Sequence, residues 1–345
     1  MVAQRAGSDQ NVRFSAYLFA GCKASGFCAL AHVGILTRTN KIPAVETQRN
    51  LRMFNPSARI IDSFVGHIRQ RFEESFSSAP ESHTRLLDQS ARAAMEAVLD
   101  CDCPHHDIQH TMLVTDIGQT ILHGRQLVFG DVSQNDWLHA VIAMMFHDIG
   151  YIRGLLKEDD DTSFLIDDEG NRISPPPRCT DAFMTPWHVT RGCLFVRDRF
   201  RNEPLIHLDT LTEYIEMTRF PVPRRQAYQR LDDIAALVRS ADLLGQMADP
   251  LYLKKLSRLF AEFLETGEAA RQGFTTAGEL RANFSRFFNS QVRPYVGNGL
   301  KYLRRSQDGQ QWIANLIHHL HADDSDNDTL FGAHHLDNEP IPIRA

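Results

Sequence analysis

Apolar residues recur at helical spacing along most of the chain from Met53 onward. In the segment ARIIDSFVGHIRQRF, one helical face carries Ile60, Ile61, Phe64, Val65 and Ile68. Asn55 and Pro56 precede this face as an N-cap and a proline at the first helical position. Similar segments continue to about residue 322, and alternating runs do not cluster as a sheet requires. The pattern predicts an all-α fold.

Three of the predicted helices carry ionisable residues where the pattern calls for apolar ones. His110 lies on the same stripe as Val114 and Ile117, and His106 falls one turn earlier at i−4. The apolar helix in AVIAMMFHDIG ends in His147 and Asp148, and Asp242 continues an apolar stripe in DDIAALVRSADLLG. We therefore expect these side chains to face the core.

Taken singly, each of these residues has a simpler interpretation. A lone histidine on an apolar stripe is usually a hydrogen-bonded core residue, and a lone aspartate near a helix end is usually a cap. Two imidazoles and two carboxylates buried together are costly unless a cation compensates them. Nitrogen and oxygen ligands of this kind suit a divalent ion such as Mn, Mg, Fe, Co, Ni or Zn, and the sequence does not choose among them.

The chain divides into three parts by composition. Residues 1–52 include a moderately apolar stretch, but Lys23 interrupts it, so it is too weak for a membrane span or a secretory signal. We predict a poorly structured N-terminal extension over 1–52, a helical domain over 53–322 and a disordered acidic tail over 323–345. Within the domain, the acidic, proline-rich segment 157–179 predicts a surface loop or lid.

Composition and charge narrow the class of protein. Hydrophobic residues make up 43% and charged residues 23% of the chain, which is typical of a soluble globular protein. The net charge of −6 provides no overall basic field, so we expect no nucleic-acid partner and no membrane partner. Six scattered cysteines without a C-x-x-C pair favour a cytoplasmic location. Cys101 and Cys103 next to His105 are more simply a cysteine-containing loop than a soft-metal site.

The core-facing residues together resemble a known signature. His110, the pair His147–Asp148 and Asp242 are similar to the H…HD…D motif of the HD-domain metal-dependent phosphohydrolase superfamily. The likeness covers residues 104–250 and extends to the context LHAVIAMMFHDIGY and SADLLG. It implies an HD-domain helical bundle with additional C-terminal helices, in which His110, His147, Asp148 and Asp242 ligate a divalent metal ion.

A finer resemblance is to the cyclic-nucleotide phosphodiesterase branch of that superfamily. There a histidine four residues before the first metal histidine protonates the leaving alcohol, and His106 has that spacing from His110. Tyr151 and Arg219 replace a histidine and an aspartate of that branch, which argues against a standard second-metal site and against cyclic-nucleotide specificity. His188 lies where several two-metal members place another ligand, and a role near the start of an amphipathic helix is equally compatible with it.

These observations predict a metal-dependent phosphohydrolase that uses metal-activated water on a phosphoester or phosphodiester. The substrate is expected to be a nucleotide or another small phosphorylated compound. Asp148 would bind metal and orient the water, and protonated His106 would be the general acid. Tyr151 and Arg219 are candidate substrate-binding residues; Arg153 is a further candidate, although a surface role is favoured for it.

Two other functions stay open on the sequence. One is a di-iron oxygenase of the HD superfamily, and the other is a catalytically silent HD module for sensing or interaction. A homo-oligomer is also compatible with the helices that follow Pro250.

Overall fold

The computed structural model describes residues 54–322, which form an all-α fold and confirm the fold class predicted from the sequence. The predicted extension over 1–52 and the predicted tail over 323–345 lie outside the described residues. None of the described helices combines the length and the apolar character needed to cross a membrane.

The first seven helices and the turns between them include all the site residues predicted from the sequence. They are α1 (Pro56–Ser75), α2 (Glu81–Val98), α3 (Ile108–Phe129), α4 (Gln134–Phe146), α5 (His188–Arg199), α6 (Leu208–Glu216) and α7 (Ile234–Met247). Short 3₁₀-helices cover Ile149–Tyr151, Asp181–Met184 and Gln226–Gln229.

Six further helices follow, several of them short. They are α8 (Tyr252–Thr266), α9 (Glu268–Gln272), α10 (Ala277–Ala282), α11 (Phe284–Phe287), α12 (Arg293–Leu303) and α13 (Gln307–His321). A π-helical turn at Phe288–Val292 joins α11 to α12.

Helices α3, α4 and α7 lie at the centre of the described fold. Helix α3 packs against α4, α7 and α12, and α7 also packs against α4 and α6. Every residue of α4 from Trp137 to Phe146 is buried, as its continuous apolar character requires. A capping box between Ser133 and Asp136 satisfies the free N–H groups at its start. The C-terminal end of α4 therefore lies in the core, and His147 and Asp148 follow it there.

Close backbone contact at Gly245 brings α7 against α3. A Cβ atom at this position would come within 2.7 Å of the Val114 Cα atom, so only glycine permits the crossing. Val114 is one turn after His110, and Gly245 is one turn after Asp242. The crossing thus sets the separation between these two candidate ligands.

The segment 157–179 is more ordered than the predicted loop or lid. It contains a small antiparallel hairpin of β1 (Phe164–Leu165) and β2 (Arg172–Ile173), in which Phe164 lies opposite Ile173. The hairpin is held to α5 by Arg191, whose side chain is fully buried with that of Asp159. The sequence did not predict this contact, because an irregular segment can pack against a helix without a regular spacing of apolar residues.

Arg191 uses its whole guanidinium group. Its Nε donates to the carbonyl of Gly150 at 2.8 Å, and Nη2 donates to Ile152 at 2.8 Å and to Asp159 at 2.9 Å. Its Nη1 donates to Asp159 at 3.2 Å and to the carbonyl of Leu165. All five N–H groups are thereby satisfied, and the chain around Gly150 is fixed to the hairpin.

Candidate metal centre

Four candidate ligands converge from three separate parts of the fold. His110 lies in the first turn of α3, where the Asp107 carboxylate caps the helix by accepting from the His110 N–H at 3.0 Å. His147 is the C-cap of α4, and Asp148 follows it. Asp242 lies within α7 on its buried face. The structure therefore brings together residues that lie as far apart in the sequence as His110 and Asp242, as the apolar stripes predicted.

The two imidazoles and two carboxylates are in contact. The Nε2 atoms of His110 and His147 are 3.2 Å apart, and each lies 3.1 Å from Asp148 Oδ2. Asp242 Oδ1 lies 3.7 Å from the first and 3.5 Å from the second. His110, His147 and Asp242 each offer one ligand atom, all within 4.8 Å of one another, and all three residues are buried. This buried group can hold a metal ion.

Hydrogen bonds outside the cluster leave its ligand atoms facing inward. The Nδ1 of His147 donates to the Met144 carbonyl at 2.8 Å, which leaves Nε2 with a free lone pair. Asp148 Oδ2 is buried and makes no hydrogen bond of normal geometry among the described residues. Because buried polar atoms are almost always satisfied, an oxygen of this kind fits a cation as its missing partner.

The electrostatics of the cluster also favour positive charge. Burial alone would lower the pKa of His147, but the Asp148 and Asp242 carboxylates raise it well above its usual range. Burial alone would raise the pKa of Asp148, whereas His147 and His110 hold it well below the usual range. The carboxylates thus attract a proton onto the His147 imidazole, and a metal ion would supply the same positive charge.

His188 lies beside the second oxygen of Asp148. Its Nε2 is 3.6 Å from Asp148 Oδ1, and its Nδ1 donates to the Thr185 carbonyl at 2.7 Å. Burial lowers the pKa of His188 to about 4, so the imidazole is neutral and its Nε2 carries a lone pair. His188 begins α5 and lies next to Oδ1 of Asp148, whereas His110 and His147 lie next to Oδ2.

Tyr151 is stacked between two imidazole rings. Its ring centroid is 4.7 Å from that of His106 and 4.2 Å from that of His188, with interplanar angles of 20° and 10°. The residue is buried, and burial raises the pKa of its phenol well above the usual range. Tyr151 therefore fixes the positions of both rings, in addition to lining the cavity described below.

His106 is not on α3, contrary to the prediction from the apolar stripe. Asp107 caps the helix, so His106 lies in the turn before it. Its ring still reaches His110, with 5.4 Å between the ring centroids. The two rings are therefore close because the turn before α3 places His106 beside His110. They do not share a face of one helix.

Glu262, on α8, holds His106 in place and was missed by sequence reasoning. Its Oε2 is 2.7 Å from His106 Nδ1, and its Oε1 accepts from the backbone N–H of His105 at 2.6 Å. Burial alone would lower the pKa of His106, but Glu262 raises it to about 9. Burial alone would raise the pKa of Glu262, and His106 lowers it to about 2. A charged residue on the buried face of an amphipathic helix, continuing the stripe of Leu256 and Leu259, was the available signal.

The two candidate arginines have different positions. Arg219 borders the cavity, and its guanidinium binds Glu216 at 2.5 and 2.7 Å and the Thr190 hydroxyl at 2.8 Å. Arg153 does not border the cavity and binds Asp181 at 2.5 Å and Asp102 at 2.7 Å. The surface role favoured for Arg153 agrees with these two ion pairs.

A single cavity joins the cluster to the helices that follow it. About 550 Å³ of space is bounded at one end by His106, Asp148, Tyr151, His188 and Asp242. Helices α8 to α11 form much of the remaining wall. The volume lies in the range of pockets that enclose small organic molecules.

The fold and site define an all-α protein with a buried His/Asp group that can hold a metal ion. Residues 54–325 match the model of the Npun_R2479-like family, and the chain belongs to that family. No curated protein and no solved structure matches the chain. The family name states no activity, so the chemistry of the site rests on the residues themselves.

Proposed function

We propose that this protein is a metal-dependent phosphohydrolase of the HD type, acting on a phosphoester or phosphodiester of a small compound. One observation carries the proposal: Asp148 and Asp242 of the buried His/Asp group line a cavity that is also bordered by His106, which is paired with the buried carboxylate of Glu262 at 2.7 Å. The order of His110, His147–Asp148 and Asp242 along the chain supports it as well, because it is the order of the HD signature.

In this proposal His110, His147, Asp148 and Asp242 hold one divalent ion. His188 binds a second ion or a substrate oxygen beside Asp148. The bound ion supplies positive charge that polarises a phosphoryl oxygen and lowers the pKa of water. Nitrogen and carboxylate donors accept Mn, Mg, Fe, Co, Ni or Zn.

The proton is supplied by the chain itself. Glu262 keeps His106 protonated near neutral pH, since it raises the pKa of His106 to about 9. His106 borders the cavity and donates this proton to the leaving oxygen, which makes the alcohol a better leaving group. Tyr151 keeps the His106 ring in position through stacking. Arg219 lines the cavity and lies beside the substrate.

The test is metal-dependent release of the leaving group from bis(4-nitrophenyl) phosphate and 4-nitrophenyl phosphate. The metal-free protein is assayed with each ion in turn. His147→Asn is expected to lose more than the roughly 10–100-fold typical of a group that only supports a ligand. His139→Asn is the matched control, because His139 is also buried on α4 but binds the backbone of Asn135 and His207.

Equal activity of His147→Asn and His139→Asn would exclude the proposed site. Oxygen uptake by the iron-loaded protein without ester hydrolysis would favour a di-iron oxygenase instead. Failure of every ion to support hydrolysis or oxygen uptake would favour a silent sensing or interaction module.

A further inference from the structure

The cavity beside the His/Asp group changes character along its length. Away from the metal end, its wall is formed largely by aromatic and aliphatic side chains. Among them are Phe220, Phe263, Phe274, Leu280, Phe284 and Phe287. Such a wall favours an apolar group over a hydrated one, at about 25 cal/mol for each Å² removed from water.

Helix α8 links the two ends of the cavity. Leu259, Glu262, Phe263 and Thr266 all border the space and lie on one helical face at i, i+3, i+4 and i+7. Glu262 holds the proton donor His106, and its neighbours on this face are apolar or carry only a hydroxyl. Along this face of α8, the cavity wall next to His106 is therefore continuous with the apolar wall.

The described wall offers no free cation for a second phosphate group. Its two arginines are Arg219 and Arg271, and no lysine borders the cavity. Arg219 is bound to both carboxylate oxygens of Glu216, and Arg271 donates to Glu268 through Nε at 2.8 Å and through Nη2. A di- or triphosphate would find its additional charges facing aromatic rings.

Polar recognition of a nucleobase is also weakly supported by the described wall. Of its three side-chain amides, Gln272 already donates to Glu268 at 2.6 Å. The amide of Asn283 donates to the Glu279 carbonyl at 2.8 Å. The third amide, Gln246, interacts with the His105 side chain. Apolar side chains form much of the rest of the wall.

We propose that the substrate carries a single phosphoryl group esterified to a largely apolar alcohol, which the apolar part of the cavity encloses. This proposal rests on the proposed function and specifies its substrate class. In the reaction, the oxygen of water forms a new bond to phosphorus while the bond from phosphorus to the alcohol oxygen breaks. His106 gives its proton to that oxygen, and the proton released by the water replaces it, so that the products are the alcohol and phosphate.

The experiment measures kcat/KM for n-alkyl phosphates from butyl to octyl, all below their micellar concentrations, with glycerol phosphate, adenosine monophosphate and adenosine triphosphate as polar comparisons. We expect kcat/KM to rise about fourfold for each methylene group that enters the apolar part. A flat or falling series, with ordinary hydrolysis of the polar esters, would overturn the proposed substrate class and leave the phosphohydrolase function standing.

A filling variant locates the effect within the cavity. Leu280 is half-buried on α10 and borders the space. Leu280→Trp is expected to stop the rise in kcat/KM at a shorter alkyl chain. Leu127→Trp is the control, because Leu127 is 59% exposed on α3. Loss of the long-chain advantage in both variants would contradict the assignment to this cavity.

A binding measurement separates this proposal from the proposed function. The n-alkylphosphonates of the same lengths cannot be hydrolysed, and calorimetry on the Mn²⁺-loaded protein gives their affinities. Affinity that rises with chain length while no ester is hydrolysed would support the apolar site and overturn the phosphohydrolase. Affinity that does not depend on chain length would overturn the apolar site whatever the activity.

Discussion

Two buried groups of charged residues lie close to Gly150, and they differ in how their charges are satisfied. In the first, Arg191 binds Asp159 and three backbone carbonyls, so that every guanidinium N–H has an acceptor. In the second, His110, His147, Asp148 and Asp242 face one another, and Asp148 Oδ2 makes no hydrogen bond of normal geometry within residues 54–322. The first group is complete within the described chain, whereas the second can hold a metal ion. The comparison distinguishes a structural ion pair from a candidate metal site.

Breaking the complete group should give the largest effect. Arg191→Met leaves the Asp159 carboxylate buried without its partner. We expect the free energy of unfolding to fall by about 3–5 kcal/mol, as is typical for a broken buried ion pair. Urea unfolding measures this decrease. The double variant Arg191→Met/Asp159→Leu should recover part of the loss, because no lone charge remains.

Arg197→Met is the matched control on the same helix. Arg197 is 48% exposed and binds Asp209, which is 82% exposed, so a change of at most about 1 kcal/mol is expected. Equal losses in the Arg191 and Arg197 variants would contradict the structural role given to the buried pair.

Completing the second group should stabilise the protein. At a free ion concentration about 100 times the dissociation constant, a divalent ion adds about 2.7 kcal/mol to the free energy of unfolding. Asp242→Asn should lose this increment, since it removes one of the closely spaced ligand atoms. Unfolding is measured in chelator and in Mn²⁺. An increment that survives in Asp242→Asn would place the stabilising ion elsewhere.

The pair of His106 and Glu262 combines features of both groups. Its two charges neutralise each other, as in the first group, and it borders the cavity, as the second group does. If Glu262→Gln returns the pKa of His106 from about 9 to its ordinary 6.5, the protonated fraction at pH 8 falls about thirtyfold. The alkaline limb of the pH–rate profile should therefore move to lower pH. Glu265→Gln, whose side chain binds Thr180, is the control on the same helix.

The same pair makes stability depend on pH in a defined direction. A raised histidine pKa contributes stability that is complete below pH 6.5 and is lost as pH rises through about 9. The difference in free energy of unfolding between the wild type and Glu262→Gln should shrink over that window. A pH-independent difference would contradict a charged pair.

The smallest effect is expected at a partly exposed pair on α1 and α3. His67 Nε2 lies 2.7 Å from Asp116 Oδ1, and the side chains are 40% and 29% exposed. Asp116→Asn should change the free energy of unfolding by about 0.2–1 kcal/mol and leave metal affinity unchanged. A large loss of metal affinity would mean that Asp116 supports the metal site and is more than a partly exposed ion pair.

Helical periodicity explains why much of the site was predictable. A charged residue on an apolar stripe has to be buried, and this places His110 and Asp242 inside the fold without knowledge of the fold. His147 and Asp148 follow a helix that is apolar all round, so their burial is equally visible. The burial of His110, His147, Asp148 and Asp242 was therefore predictable from single helices.

Contacts between distant segments were not predictable in this way. Glu262 reaches His106 from 156 residues away, and Arg191 reaches Asp159 across a hairpin. The sequence shows that a glutamate lies on an apolar helical face and that an arginine lies on α5. No sequence pattern predicts which residue each of them contacts. The placement of His106 on the α3 stripe was wrong for a local reason. Asp107 caps the helix, so α3 begins at Ile108 and does not include His106.

The close crossing at Gly245 has a consequence for ion selectivity. Mg²⁺ requires oxygen ligands at about 2.0–2.1 Å in a nearly ideal octahedron, whereas Zn²⁺ accepts nitrogen and oxygen ligands in a tetrahedron. The separation of His110 from Asp242 is set by a glycine that touches neither ligand, because a Cβ there would meet Val114. If the site holds a divalent ion as proposed, Gly245→Ala would push the two helices apart and change which ion binds best, so the preference among metals would depend partly on helix packing.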